Sequence, residues 1–103
     1  MSEKVTVIVA AKPNPEEKES LIGYTSQATP MFGKRGAKVT SKYATDQVIA
    51  GEDGPMLTLV AEFPNQAAVD DLFNSEEYKA IIPLRDKGFS YIHIYAGKDI
   101  MES

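Results

Sequence analysis

The sequence contains no cysteine and only one histidine in 103 residues. Without cysteine there can be no disulfide bond, no thiolate nucleophile and no cysteine-ligated metal or iron–sulfur site. A single histidine excludes a site built from several imidazoles of one chain. Phosphate-binding loops and glycine-rich dinucleotide motifs are also absent, and the acidic turn GEDG is too short for a calcium loop. We therefore expect neither a metal nor a cofactor.

The sequence also lacks an excess of positive charge and a long apolar run. Its net charge of −4 argues against nucleic-acid binding, which needs a basic stripe. No stretch is long enough to span a membrane, and the N-terminal apolar run is too short for a secretory signal. The composition, 43% hydrophobic and 25% charged, is typical of a globular domain. We expect one cytoplasmic domain that binds neither nucleic acid nor membrane, with its core at residues 4–97 and a loosely held tail at 97–103.

Four stretches rich in apolar and β-branched residues are separated by turn signals. The first and third, residues 4–11 and 56–63, are almost continuously apolar, which is typical of strands covered on both faces. The second, residues 37–49, mixes β-branched and polar residues as an edge strand does, and the last is FSYIHIYA, residues 89–96. The pattern predicts four strands.

Two helices are expected between these strands. Asn14 can cap the first, Pro15 suits the first helical position, and Glu17 completes a capping box. Pro30 should kink or end that helix. Asn65 can cap the second helix. The order β-α-β-β-α-β predicts an α+β, ferredoxin-like antiparallel sheet with the helices on one face and the first and third strands central.

The second helix is interrupted within the stretch FNSEEYKAIIPLRDKG. Asn74 or Ser75 can cap it, but Pro83 removes one helical N–H and disfavours helical angles at Ile82. We expect two short helices that meet at an elbow near Ile82. This elbow would turn Arg85 inward.

Strand alternation places apolar side chains on both faces of the sheet, although two helices can cover only one face. In the last strand Ile92 and Ile94 point to one face, and the other face carries Phe89, Tyr91, His93 and Tyr95. An exposed apolar patch of this kind marks an association surface, and a two-fold axis makes it self-complementary. We therefore predict a homodimer with the two sheets face to face. The alternative is a monomer whose tail folds over the sheet, for which the tail is too short.

The segment EFPNQAAVDDLFNSEEYKAIIPLRDKG resembles the signature of the domain-of-unknown-function family numbered 1330, in the dimeric α+β barrel superfamily. The matching features are the strand-ending EFP and, after it, Phe73, Ser75, Tyr78 and Arg85. The resemblance extends over residues 4–97 and implies the fold and the dimer. The family has no established reaction. Its superfamily includes cofactor-independent monooxygenases, lactone isomerases, and dehalogenating and haem-dependent enzymes, so the fold alone does not select a function.

Arg85 is the first candidate for a functional role, because a guanidinium on an inward face cannot lose its proton and must be paired. One interpretation is structural, with a carboxylate of the same chain such as Glu62 as its partner. The other is that Arg85 and the Tyr78 hydroxyl receive an anionic organic ligand between helices and sheet.

His93 is the second candidate, since its side chain alone has an ordinary pKa near neutrality and can act as a general base. A histidine among strand aromatics is also a common packing residue, and alternation places it on the dimer side, away from Arg85. Tyr24, Tyr43 and Tyr78 are possible hydroxyl donors to a ligand or simply core and rim aromatics. Two hypotheses follow. The chain binds a small organic acid or aromatic compound, as a cofactor-free enzyme or otherwise, or it is a non-catalytic binding or assembly domain whose apolar face serves dimer formation.

Overall fold

The computed structural model describes residues 3–101, which form one antiparallel sheet and three helices. The strand order is β2-β3-β1-β4, so the first and third strands are central as predicted. The α+β, ferredoxin-like fold is confirmed. Within the described range, no helix has both the length and the apolar character needed to cross a membrane. The elements are β1 (Val5–Pro13), α1 (Lys18–Lys34), β2 (Lys38–Ala44), β3 (Leu57–Phe63), α2 (Gln66–Phe73), α3 (Glu76–Gly88) and β4 (Phe89–Gly97).

The two central strands bury one face of the sheet under the helices. Val7 of β1 pairs with Ala61 of β3, and both side chains are fully buried. Ile8, which alternates to the other face, pairs with Val60 and stays partly exposed. The hydrophobic core therefore lies between the sheet and the three helices, which pack on the same face.

The first helix begins at Lys18 rather than at Pro15, so its predicted start is wrong. The Asn14 side chain accepts a hydrogen bond from the Glu16 N–H (3.0 Å), and the Asn14 carbonyl accepts one from Glu17 (3.0 Å). These bonds close a turn before the helix, because asparagine followed by proline stabilises a turn as readily as a helix start. Glu17 occupies the cap position without a side-chain capping bond.

The caps of the second and third helices agree with the sequence. Asn65 accepts a hydrogen bond from the Ala68 N–H (2.8 Å), and Ser75 accepts one from Tyr78 (3.1 Å). The interruption between the helices lies at Asn74 and Ser75, so the elbow predicted near Ile82 is wrong.

Both internal prolines lie inside helices that continue past them. The first helix runs on beyond Pro30 to Lys34, and α3 runs through Pro83 to Gly88. Each proline leaves one carbonyl without an N–H partner, that of Ser26 or Lys79. Both of these residues are exposed, so water can replace the missing donor while the opposite side of each helix stays packed.

Phe89 lies in the core rather than on the opposite sheet face, which corrects the predicted alternation. The register between β1 and β4 shifts near Lys12, which pairs with Tyr91, whereas Pro13 pairs with Phe89. This β-bulge turns the Phe89 ring to the helix side, where it is only 8% exposed. The remaining aromatic residues of β4 alternate as predicted.

The sheet face away from the helices, which we call the open face, is covered by no helix within residues 3–101. Its apolar and aromatic members are Ile8, Ala10, Tyr43, Val60, Tyr91, His93 and Tyr95. The β2–β3 loop reaches one corner, where Tyr91 donates to the Asp53 carbonyl (3.0 Å) and Lys12 pairs with the Asp53 carboxylate (3.1 Å). Beyond the last strand, Ile100 and Met101 are 86% and 90% exposed and do not pack on this face. Residues 102 and 103 of the predicted tail lie outside the described range.

The helices α1 and α3 approach closely at Gly88. A Cβ atom at this position would lie 2.8 Å from the backbone nitrogen of Leu21 and 2.9 Å from its Cα. The Gly88 carbonyl also accepts a hydrogen bond from the Asn14 N–H (3.0 Å). Only glycine leaves room for the α1 backbone here.

We predict that Gly88→Ala lowers the free energy of unfolding by about 1–3 kcal/mol, because the added methyl group must push two helix backbones apart. Urea denaturation measures the change. Gly33→Ala in α1 is the matched control, since a Cβ there meets nothing within 4 Å and a gain in helix propensity should raise stability by up to about 1 kcal/mol. A Gly88→Ala protein as stable as the unmodified one would contradict the close contact.

Candidate functional site

Three of the residues singled out in the sequence meet between α1 and α3. The hydroxyl oxygens of Tyr24 and Tyr78 are 2.9 Å apart, and Arg85 Nη1 donates to the Tyr78 hydroxyl at 3.3 Å. Tyr24 is 6% exposed and Tyr78 is 1% exposed, so both hydroxyl groups belong to the core. We call this hydrogen-bonded group the Tyr–Tyr–Arg chain.

The geometry of α3 explains why Arg85 reaches Tyr78. The two residues are seven positions apart, or about two helical turns, so they share a face only if the helix stays regular. Continuity through Pro83 therefore aligns them, and the guanidinium carbon lies 5.9 Å from the centroid of the Tyr78 ring. This contact adds a cation–π attraction to the hydrogen bond.

Burial keeps the Tyr24 hydroxyl neutral. Desolvation raises the pKa of Tyr24 far above its ordinary value, and the neighbouring Tyr78 raises it further, which the positive charge of Arg85 only partly opposes. Tyr24 therefore keeps its proton, and serves as a hydrogen-bond donor or acceptor, at neutral and mildly alkaline pH.

Glu62 is not the carboxylate partner of Arg85, and the sequence-based suggestion is wrong. Glu62 pairs with Lys4 at 3.3 Å. Arg85 Nε donates instead to its chain neighbour Asp86 (3.2 Å), whose side chain is 64% exposed. An exposed pair of this kind contributes little to stability. Because Asp86 is the carboxylate that contacts Arg85, the guanidinium has no buried counter-ion among residues 3–101.

One cavity, the β2-edge cavity, lies between α1 and the half of the sheet that ends in β2. Its volume is about 300 Å³. The polar residues that line it are Tyr24, Thr25 and Thr29 of α1, Lys42 and Tyr43 of β2, and Thr58 of β3. The apolar walls include Val9, Ala11, Ala28, Phe32, Leu57, Leu59, Phe89 and Ile92.

A second cavity, the β4-edge cavity, lies on the other side of the Tyr–Tyr–Arg chain, between α2, α3 and β4. Its volume is about 330 Å³. Tyr78 and Arg85 are among its walls, and the others include Val7, Val69, Phe73, Ile82 and Ile94. Since Tyr24 lines one cavity and Tyr78 lines the other, the hydrogen bond between their hydroxyl groups forms part of the partition between them.

The other two site residues predicted from the sequence, Tyr43 and His93, lie apart from the Tyr–Tyr–Arg chain. Tyr43 is on the edge strand β2, largely exposed, at the wall of the β2-edge cavity. His93 is exposed on the open face, with its ring 5.3 Å from that of Tyr91, and lines neither cavity. The structure thus brings Tyr24, Tyr78 and Arg85 together and separates His93 from them.

Sequence reasoning missed Lys42. A bulge in β2 between Val39 and Ser41 shifts the register, so that Lys42 pairs with Leu59 on the helix side of the sheet. Its ammonium group has no carboxylate partner within residues 3–101. Nothing in the sequence marks this bulge, because β2 is polar on both faces.

Solved structures with the same fold cover almost the whole chain. A protein of unknown function from Rhodopseudomonas palustris is 15% identical with a TM-score of 0.82, covering 97% of this chain and 85% of that one. A putative antibiotic biosynthesis monooxygenase from Bordetella bronchiseptica is 16% identical with a TM-score of 0.65, covering 96% and 99%. Another protein with that description, from Caulobacter crescentus, is 9% identical with a TM-score of 0.70, covering 96% and 92%. At these identities the likeness shows the fold class alone, the ferredoxin-like α+β sheet with helices on one face.

Within this class, the chain belongs to the family described as domain of unknown function, DUF1330, whose profile matches residues 7–95. The resemblance seen in the sequence is confirmed. No curated protein matches the chain.

We predict that Arg85→Ala lowers the free energy of unfolding by only about 1 kcal/mol, the usual net contribution of one hydrogen bond. Tyr78 keeps its hydrogen bond to Tyr24. The substitution leaves no buried carboxylate without a partner, whereas loss of a buried ion pair would cost about 3–5 kcal/mol. Urea denaturation distinguishes the two values, with Lys87→Ala as the control for loss of an exposed charge from the same helix. A loss above 3 kcal/mol would show that Arg85 has an internal structural partner.

Proposed function

We propose that this protein binds a small aromatic or aliphatic acid in the β2-edge cavity. The single observation that carries the proposal is a largely apolar cavity of about 300 Å³ that is lined by the buried Tyr24, whose side chain ends in a hydroxyl group. Ligand sites are typically concave and apolar with a few placed polar groups, and this volume is near the lower limit of their range. A molecule of about one ring fits such a site.

The polar groups favour an acid. Lys42 lines the cavity and has no ion-pair partner in the described part of the chain, so it can pair with a carboxylate near the exposed β2 edge. Tyr24, which is buried, can donate to an oxygen at the opposite end of the ligand. In this arrangement Tyr78 and Arg85 act through Tyr24, because they hold its hydroxyl group in place.

Binding, rather than catalysis, is the function that the cavity supports. The catalytic role of His93 stays a prediction, since this residue lies on the open face and not beside the proposed ligand. A binding role for Tyr43 likewise stays a prediction, since Tyr43 pairs with Thr58, which alternates to the open face.

We predict that 4-hydroxyphenylacetate binds the unmodified protein and that Ala28→Leu weakens this binding at least tenfold, because the larger side chain occupies the cavity. Isothermal titration calorimetry measures the affinity. Ala80→Leu is the matched control, an exposed alanine on α3 that lines neither cavity, and it should bind like the unmodified protein. Equal affinities for all three proteins would place the ligand elsewhere and refute the proposal.

We also propose that two copies of the chain associate through the open face. Ile8 and Val60 lie at the centre of this face and Tyr95, at its side, is 53% exposed. The hydrophobic effect favours covering such a surface, and an identical copy supplies a matching one. The competing hypothesis, an assembly domain without a ligand, shares this interface but predicts empty cavities.

We predict that the unmodified protein sediments as a dimer and that Ile8→Asp is monomeric, since a carboxylate at the centre of the interface would be buried without a partner. Analytical ultracentrifugation gives the masses. The control is Ile22→Asp, which changes an isoleucine that is 62% exposed on α1 and should leave the dimer intact. A monomeric unmodified protein at micromolar concentration would overturn this part of the proposal.

A further inference from the structure

The Tyr–Tyr–Arg chain contains two hydroxyl protons but a single hydrogen bond between its two hydroxyl groups. The guanidinium of Arg85 can only donate, so its hydrogen bond to Tyr78 uses the hydroxyl oxygen of Tyr78 as acceptor. One hydroxyl proton lies between Tyr24 and Tyr78. The other hydroxyl proton has no acceptor within residues 3–101.

This remaining proton has two possible positions, and each is on a residue that lines a different cavity. If Tyr78 donates to Tyr24, the remaining proton is on Tyr24, which lines the β2-edge cavity. If Tyr24 donates to Tyr78, the remaining proton is on Tyr78, which lines the β4-edge cavity. The positions of the oxygen atoms are the same in both arrangements. One donor is therefore shared between two cavities.

The β4-edge cavity has the chemistry of an anion site. Arg85 lines it with a side chain that is 25% exposed, and its Nη2 makes no hydrogen bond within residues 3–101. Its carboxylate contact, Asp86, is largely exposed and leaves the charge on the cavity side uncompensated. A guanidinium beside a hydroxyl donor binds carboxylates through charge-assisted hydrogen bonds.

We propose that the β4-edge cavity is a second site, which takes a small carboxylate between Arg85 and the Tyr78 hydroxyl, and that its occupation turns the shared proton away from the β2-edge cavity. The anion site stands on its own geometry, whereas its effect on the first ligand rests on the proposed function. Because coupling between two sites is reciprocal, an acceptor bound at Tyr24 weakens carboxylate binding by the same factor.

Acetate tests this inference, with chloride used to hold the ionic strength constant. In protein labelled with ¹⁵N-arginine and ¹³Cζ-tyrosine, acetate should shift the NMR signals of Arg85 Nε and Tyr78 Cζ in a saturable way. It should also shift Tyr24 Cζ, although Tyr24 does not line this cavity. No shift at Arg85, or the same shift in chloride alone, would overturn the site.

Four variants separate the site from its coupling. Arg85→Met should abolish acetate binding, and Lys87→Met, which removes an exposed cation from the same helix, should leave it unchanged. Tyr24→Phe should tighten acetate binding, by about twofold for two equally populated proton positions, because the Tyr78 proton is then always available. A merely structural role for Tyr24 predicts weaker binding instead. If Arg85→Met does not fold, Tyr78→Phe keeps the ring and should weaken acetate by about tenfold, as expected for a lost bond to a charged group.

Failure of this inference can be distinguished from failure of the proposed function. If 4-hydroxyphenylacetate does not bind while acetate gives the expected shifts, the first proposal fails and the anion site stands. If both bind and saturating acetate leaves the affinity for 4-hydroxyphenylacetate unchanged, the proposed function stands and the shared proton is refuted.

Discussion

The contact between α1 and α3 is the constraint on which the helix side of this structure depends. At one end Gly88 lets the two backbones touch, and farther along, the hydroxyl groups of Tyr24 and Tyr78 join the helices by a buried hydrogen bond. A bond of this kind between core residues must be kept, because the buried Tyr24 hydroxyl would otherwise have no partner. The two cavities flank this contact, one toward each edge of the sheet, so the same interaction that joins the helices also divides the space beneath them.

Much of the fold could be predicted because its signals are local. The continuous apolar runs identify the central strands, and Asn65 and Ser75 mark helix starts through bonds that span three residues. The errors have local causes as well. Asn14 stabilises a turn with the same atoms that would cap a helix, and Pro83 is tolerated because the carbonyl that it leaves unpaired belongs to an exposed residue.

The candidate site could be predicted only in part. The sequence indicates Tyr24, Tyr78 and Arg85 as polar groups on apolar faces. The hydrogen bond between Tyr24 and Tyr78, however, joins residues that are 54 positions apart in the sequence. No spacing rule connects them. The role of Lys42 depends on a bulge in a strand that is polar on both faces, where alternation cannot indicate which side is inward. A site residue cannot be identified from the sequence when its role depends on a contact between distant positions, or on an irregular strand register.

The bulge between β1 and β4 gives the site a property that its residue identities alone do not have. By turning Phe89 inward it places an aromatic ring edge-on to Tyr24, with centroids 5.8 Å apart, in the wall of the β2-edge cavity. The shape of this cavity is thus controlled by strand register. A relative with every lining residue conserved but without the bulge would have a wider cavity and a more apolar outer sheet face. Within this family, the shape of this cavity can therefore diverge through a one-residue insertion or deletion outside it, and comparisons of lining residues alone would not detect the change.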